Sequence, residues 1–378
     1  MNANHLNFSL LRNLSNVPGW RSNRKMVVIE SDDWGSIRMP SLGAMNKLQA
    51  QGLDLAGGSN RYNLNDTLAT ETDLEDLFEV LLQHKDKNGR PAVFTAVCVV
   101  ANPDFDKIKE HNYKEYFYEP FTKTLERYYG NDASYQLWLK GIKQKIFIPQ
   151  FHGREHLNVA EWMRALQMGD REALRAFDEG LWGFNNRQIS KSSISFQAAF
   201  DLYEPADLAV QSASITEGLE LFNKLFGYRA TFFVPPNGPF NNTLEKVAAE
   251  AGITYMSASK IQAEPLGYGK SRKVFHWLGQ KNKHHQYYIT RNCFFEPSDE
   301  GKDWVSSCLA EIASAFRWHK PAIISSHRVN YIGALNSANK ANGLQQLSKL
   351  LQAIVNKWPD VEFCTSAELG NIMVDAKK

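Results

Sequence analysis

The stretch Lys25-Met-Val-Val-Ile-Glu-Ser-Asp-Asp-Trp-Gly35 decides how the rest of the chain is read. Met26–Glu30 is an unbroken apolar run of strand length, and two adjacent aspartates follow it almost at once. A short run of this kind, without alternation, is what a strand covered on both faces looks like. Asp32 and Asp33 taken alone read as a turn or a helix cap, because aspartate caps helices well. At the carboxyl end of a buried strand they gain a second meaning. Parallel α/β folds place their ligand sites there.

Further apolar runs with strand character lie at Ala92–Val100, Ile146–Phe151, Ala230–Pro235, Gln286–Thr290, Ala322–Ser326 and Val361–Cys364. Helical periodicity separates them. Asp73–Gln83 has apolar residues at i, i+3, i+4 and i+7, and Leu244–Ala251, Trp304–Phe316 and Leu344–Asn356 behave similarly. Strands alternating with helices predict a parallel sheet or barrel. Two stretches, near 106–145 and 159–228, break the rhythm. The strands on either side continue it, so both read as insertions in a single domain spanning 1–378.

Composition narrows the class. Of 378 residues, 43% are hydrophobic and 22% charged, which excludes a disordered, collagen-like or coiled-coil chain. The 43 Lys and Arg against 41 Asp and Glu leave a net charge of +2, without the basic excess of a nucleic-acid binder. No window approaches about 18 uninterrupted apolar residues, so no membrane span is expected. The first twenty residues lack both an early cationic stretch and an apolar stretch of about 7–15 residues. No secretory signal is read, and a cytoplasmic protein is expected. Cys98, Cys293, Cys308 and Cys364 lie far apart, without metal-ligand or redox spacing. Cys98, inside an apolar run, reads as a small core residue. Nine Trp and fourteen Tyr serve a core, and also suit stacking on sugar rings.

Three more strand ends carry polar groups. After IFIPQF comes His152-Gly-Arg-Glu-His156; histidines at i and i+4 on one helical face reach a single metal ion. After ATFFV comes Pro235-Pro236-Asn237-Gly238, a loop that fixes backbone direction and can aim N–H groups at a developing oxyanion. After AIISS comes His327-Arg328; a histidine ending a buried strand has the pKa range for acid–base work. Each has a bland counterpart: unrelated histidines, a turn, a structural histidine. Their order along the chain is more specific than any one of them.

In that order the motifs resemble the polysaccharide deacetylases of carbohydrate esterase family 4, the NodB-like group. The family's Thr-Phe-Asp-Asp-Gly looks like Glu30-Ser31-Asp32-Asp33-Trp34, with Gly35 one place later. Its two histidine ligands match His152 and His156. Its Arg-Pro-Pro-Tyr-Gly loop is similar to Val234-Pro235-Pro236-Asn237-Gly238, and its late Leu-x-x-His motif to Ile323–His327. The resemblance implies an α/β fold: a parallel (β/α) barrel, seven-stranded and distorted, with helical insertions. It implies a metal-dependent hydrolase that removes acetyl groups from N- or O-acetylated sugars of a poly- or oligosaccharide. Asp33, His152 and His156 would hold one divalent ion. Zinc is the default for two imidazoles and a carboxylate, and cobalt, nickel or manganese also fit. Asp32 would be the catalytic base and His327 the acid. Trp34, Pro236, Asn237, Gly238 and Arg328 would meet the substrate.

The pattern also departs from the family. The loop arginine, which orients the base, is Val234; Arg328, Arg154 and Arg291 are candidates for its charge, and the sequence does not choose among them. The loop tyrosine is Asn237. The family's substrate-side Asp and Trp have no clear match; Asp303-Trp304 reads as a helix start. Two other readings stay open. His152-Gly-Arg-Glu155-His156 fits the His-x-x-Glu-His pattern of inverted zinc peptidases, with Glu155 as base, if the segment is helical. Pro149 and Gly153 speak against that helix, and Asp32 and His327 would have no role. The missing arginine suits an inactive sugar-binding protein on the same fold. The expected partner is an acetylated carbohydrate, with no nucleic acid or membrane; the oligomeric state is not legible.

Overall fold

β1 (Met26–Trp34) is buried along its whole length. The computed structural model describes residues 13, 15–55, 60–184 and 194–376. Residues 1–12 and 14 of the segment searched for a secretory signal, and residues 185–193 within the second rhythm-breaking stretch, lie outside them. The other strands are β2 (Phe94–Cys98), β3 (Ala101–Pro103), β4 (Tyr118–Pro120), β5 (Phe147–Phe151), β6 (Phe232–Phe233), β7 (Tyr255–Ser257), β8 (Ile261–Gly267), β9 (Lys270–Phe275), β10 (Tyr287–Ile289), β11 (Cys293–Phe294), β12 (Ala322–His327) and β13 (Glu362–Phe363).

The main sheet runs β10-β7-β6-β5-β2-β1-β12-β11, and every pair in it is parallel. It curls into a distorted (β/α) half-barrel whose end strands are β10 and β11. β13 pairs with Met26 and Val27, on the edge of β1 that β2 takes further along. The path has eight strands rather than seven. β7 and β11 were not anticipated: at three and two residues, each is too short to stand out as an apolar run. Two antiparallel hairpins, β3–β4 and β8–β9, stand outside the sheet.

The strands are apolar on both faces because both faces are covered. Val27 and Ile29 point outward into the large cluster shared with Leu77, Trp138, Phe222, Ile312 and Leu351 of the surrounding helices. Met26 and Val28 point inward with Val97, Phe232, Ile289 and Ile323, where Leu369 and Met373 of the helix Ser366–Asp375 join them. A third apolar cluster, with Trp162, Phe177, Trp182 and Phe196, lies among the helices Val159–Gln167 and Arg171–Asp178 and the segments beside them. The helices start where side chains take up their free N–H groups. Thr70 and Thr365 form capping boxes with Asp73 and Glu368. Asp303 caps the helix Trp304–Arg317 and Trp304 Nε1 donates to Asp299 O, so this pair is a helix start. All four cysteines are buried and none is in a disulfide. No helix among the described residues is long and apolar enough to cross a membrane.

Side-chain period and register together position the motifs. Residues two apart share a face, so Glu30 and Asp32 follow Met26 and Val28 inward, and Ser325 and His327 follow Ile323. Asp32 is level with His327 across the parallel pair. Trp34 is level with Cys98, Cys98 with Phe151, and Phe151 with Phe233. His152 and Val234, the next residues, therefore emerge at one height on the barrel mouth.

The helix Ser337–Lys357 crosses the turn after β12 at Gly343, where an added Cβ would lie 1.6 Å from Asn330 O. Asn330 Nδ2 in turn donates to Glu296 Oε2 and His327 O. Gly343→Ala must move backbone, so it should cost at least about 1–3 kcal/mol. The urea-unfolding midpoint should fall while the far-ultraviolet circular dichroism of the folded state is kept.

Candidate metal and acid–base site

The site begins with a break in β1. In a regular strand Asp32 and Asp33 would point to opposite faces. Asp33 instead adopts φ 73°, a left-handed conformation that aspartate tolerates better than most residues. The register with β2 shifts between Ser31 and Trp34 at the same point. Both carboxylates thereby reach the same cleft, of about 1090 Å³, at the mouth of the half-barrel. Trp34 is turned the other way. It is 1% exposed, donates from Nε1 to Ser31 Oγ and packs edge-on against Phe147. Its expected place against a substrate is corrected: the turn at Asp33 sends it into the core.

Asp33, His152 and His156 form a buried group whose ligand atoms all lie within 4.8 Å of one another. Asp33 Oδ1 is 3.4 Å from His152 Nε2 and 3.1 Å from His156 Nε2. Metal–ligand bonds of about 2 Å at tetrahedral angles set neighbouring ligand atoms roughly 3.3 Å apart, so the spacing fits an ion. His152 Nδ1 donates to Val234 O at 2.6 Å, which leaves the Nε2 lone pair free. That Nε2 is buried and has no hydrogen-bond partner among the described residues. Burial lowers the pKa of His156, favouring the neutral ring a metal ion needs. The donor set is able to hold a divalent metal. The residues from His152 to His156 are not helical, however. They follow β5 as an irregular turn that brings the rings to 5.1 Å, so turn geometry does what the i, i+4 spacing was expected to do.

Asp32 faces a different partner. Arg291 Nη1 and Nη2 donate to its two oxygens, both at 2.7 Å, and Arg291 Nε donates to Glu30 Oε2. Burial pushes Asp32 up, but this fork, with His152 and His327 beyond it, holds the carboxyl below its usual range. Glu30 lies above its usual range, because burial outweighs Arg291 and Ser366. Of the three candidate arginines, Arg291 is thus the one that bonds Asp32. Arg154 is committed to Glu155 and Glu217. Arg328 is fully buried, bonded to Asp66 and to Ser36 O. Its expected substrate contact is corrected; it ties β12 to the segment after β1.

His327 Nε2 lies 4.0 Å from Asp32 Oδ2, and its Nδ1 bonds Glu296 Oε1 at 2.5 Å. Burial disfavours the imidazolium, yet Glu296, helped by Asp33 and Asp32, raises the pKa to about 9. Arg61 and Asn330 hold the other Glu296 oxygen. Glu296 carried no signal in the sequence beyond following the short run Cys293-Phe294-Phe295. Val234, Pro235, Asn237 and Gly238 line the cleft and Pro236 does not. Gly238 N–H is used within the turn, on Pro235 O, so it is not free for an oxyanion. Tyr62, Arg38, Gln197 and Phe294 are also in the lining, as are Lys260, Lys302 and Glu311. Glu155 is drawn away from the metal group by Arg154 and Ser214. The peptidase reading loses both its helix and its base.

No protein-family model and no curated protein matches the sequence. Solved structures do. A 4-alpha-glucanotransferase from Thermococcus litoralis is 12% identical, over 91% of this chain and 40% of its own, with a TM-score of 0.44. A protein from Mycobacterium smegmatis assigned as a polysaccharide deacetylase is 11% identical, over 95% and 94%, with a TM-score of 0.44. A family 4 carbohydrate esterase from Streptomyces lividans, in complex with acetate, is 12% identical, over 92% and 96%, with a TM-score of 0.36. At such identities and TM-scores none of these bears on what this chain does. The chain spans 40% of the length of the glucanotransferase it matches.

Three protein ligands leave no redundancy. Titration of metal-stripped protein should saturate at about one divalent ion per chain, and Asp33→Ala or His152→Ala should abolish binding. Calorimetry checks both, and unchanged stoichiometry in the two variants would reject the site.

Proposed function

We propose that this chain is a divergent member of carbohydrate esterase family 4: a metal-dependent hydrolase that removes acetyl groups from N- or O-acetylated sugars of a poly- or oligosaccharide. The observation that supports it is the meeting, in one cleft, of a buried Asp-His-His donor set with an arginine-held carboxylate and a carboxylate-held histidine. Zinc is the first choice of ion for this donor set. When bound, the ion would supply Lewis acidity to the acyl oxygen and acidity to a water molecule.

The rest falls to the chain's own groups. Asp32 accepts a proton from the attacking water as oxygen adds to the acyl carbon. A carboxylate held this low by Arg291 is a weak base, so it suits only a water already made acidic. Arg291 also fixes the direction of the carboxylate through two parallel bonds. As the carbon–nitrogen bond breaks, His327 Nε2 gives its proton to the departing amine. Acetate and the free amine are the products. Glu296 keeps His327 oriented through Nδ1 and charged, as the acid must be. The half-exposed Phe294 offers an aromatic face that Trp34 does not, whereas the Tyr62 ring is taken by Arg38 and Arg61. An inactive binding protein has no need of the Arg291–Asp32 and Glu296–His327 pairs. Arg291 also removes the missing arginine as its main support.

The test is acetate release from an N-acetylated sugar oligomer by metal-loaded protein. His327→Ala should lower amide turnover about 10²–10⁴-fold while metal content is unchanged. An ester, whose leaving group needs less protonation, should lose less. Equal losses on both, or a lower melting temperature alone, would mark His327 as structural.

The pH profile offers a second check. His327 acts only while protonated, so activity should be lost as pH rises through its pKa. That limb belongs near 9 in the free protein and lower once an ion's charge offsets Asp33. Glu296→Gln removes the main group raising that pKa, so the alkaline limb should move down by about one unit or more. A limb that stays in place would separate it from His327.

A further inference from the structure

Arg38 lies on the cleft wall beside the metal group and takes no part in the chemistry above. It is only 3% exposed. Its guanidinium lies over the Tyr62 ring at 4.7 Å and the Trp182 ring at 5.8 Å; Trp182 in turn stacks on His156. Rings held against a planar guanidinium leave its edge as the direction for hydrogen bonds. The edge is poorly used. Nε is 3.7 Å from Asp66 Oδ2, beyond hydrogen-bond reach, and Nη1 is buried with no hydrogen-bond partner among the described residues. Arg328 bonds the other Asp66 oxygen at 3.0 Å, and Oδ2, the one facing Arg38, makes no hydrogen bond among the described residues. Two buried guanidinium groups therefore share one carboxylate, and Arg38, the one on the cleft wall, is held to it by charge alone and keeps Nη1 as an unused donor. A buried cation that makes no hydrogen bond to its counter-ion is costly, and is tolerated where a ligand completes it.

We infer that Arg38 is the receptor for a carboxylate on the substrate, so that the acetylated carbohydrate taken by this cleft is an acidic one, carrying uronate or similar carboxylate units. This rests on the deacetylase reading for the word acetylated, and on Arg38 alone for the word acidic. The fork of Arg38 suits the two oxygens of a carboxylate, in a wall that excludes water. A lysine would supply charge without that geometry.

Calorimetric titration of the full chain decides it, with two probes of equal length: an oligosaccharide alternating N-acetylhexosamine with uronate, and a neutral N-acetylhexosamine oligomer. Wild type should bind the acidic probe about 10- to 100-fold more tightly, as one charge-assisted pair allows. That preference should shrink as salt is raised. In Arg38→Gln the ratio should collapse towards one, and in Arg38→Lys it should be intermediate. Equal affinities in wild type, or a ratio that survives in Arg38→Gln, would overturn the inference. The wild-type ratio needs no variant, so a poorly folding Arg38→Gln leaves the question decidable. Acetate release is followed in the same samples. Preferential binding without release would sink the deacetylase reading and keep Arg38; release from both probes with equal affinity would do the opposite.

Discussion

The left-handed turn at Asp33 is the constraint on which the rest of the site depends. A strand alternates its side chains, so two neighbouring aspartates cannot both serve one cleft while the strand stays regular. Breaking β1 after Asp32 solves this. Asp32 keeps the inward parity of Met26 and Val28, and Asp33 is rotated to join it. The same rotation drives Trp34 into the core, where Phe147 and Trp138 meet its ring edge-on. One backbone change thus brings Asp33 to the two histidines, leaves Asp32 facing Arg291, and anchors the end of the strand.

Charge pairing then divides the cleft into separate tasks. The carboxylates in and beside it are held by different partners. Glu30 and Asp32 share Arg291, Asp33 faces two imidazoles, Glu296 bonds His327, and Asp66 bonds Arg328. Burial alone would protonate carboxylates and discharge histidines. The pairings reverse this at Asp32 and His327, which keeps the carboxylate ionised and the imidazole protonated 4.0 Å apart. Arg38 is the group this division leaves over.

Much of the fold was legible because it rests on local signals. Apolar runs marked β1, β2, β5, β10 and β12 to within a few residues, and periodicity marked the helices around them. Fixed positions along the chain also marked Asp32, Asp33, His152, His156 and His327, all of which line one cleft or its metal group. The misses have physical causes. β7 and β11 are too short to show as runs. The His152–His156 spacing fits a helix, but the chain leaves β5 through an irregular turn. Trp34 and Arg328 sit beside cleft residues in sequence, yet face the interior.

By itself the sequence determined which segments could be strands, the order in which polar groups end them, and hence that several ionisable residues would meet at one end of a parallel sheet. These follow from residue type, side-chain period and chain order, all of which are local. Only the tertiary structure decided which charge answers which. Arg291 meets Asp32 across 259 positions, and Arg328 meets Asp66 across 262. Two arginines of like composition thus end in opposite roles, one holding a cleft carboxylate and one closing the core. No local pattern encodes such a choice. It depends on which strands become neighbours and at what height, a consequence of sheet order and register rather than of any one segment.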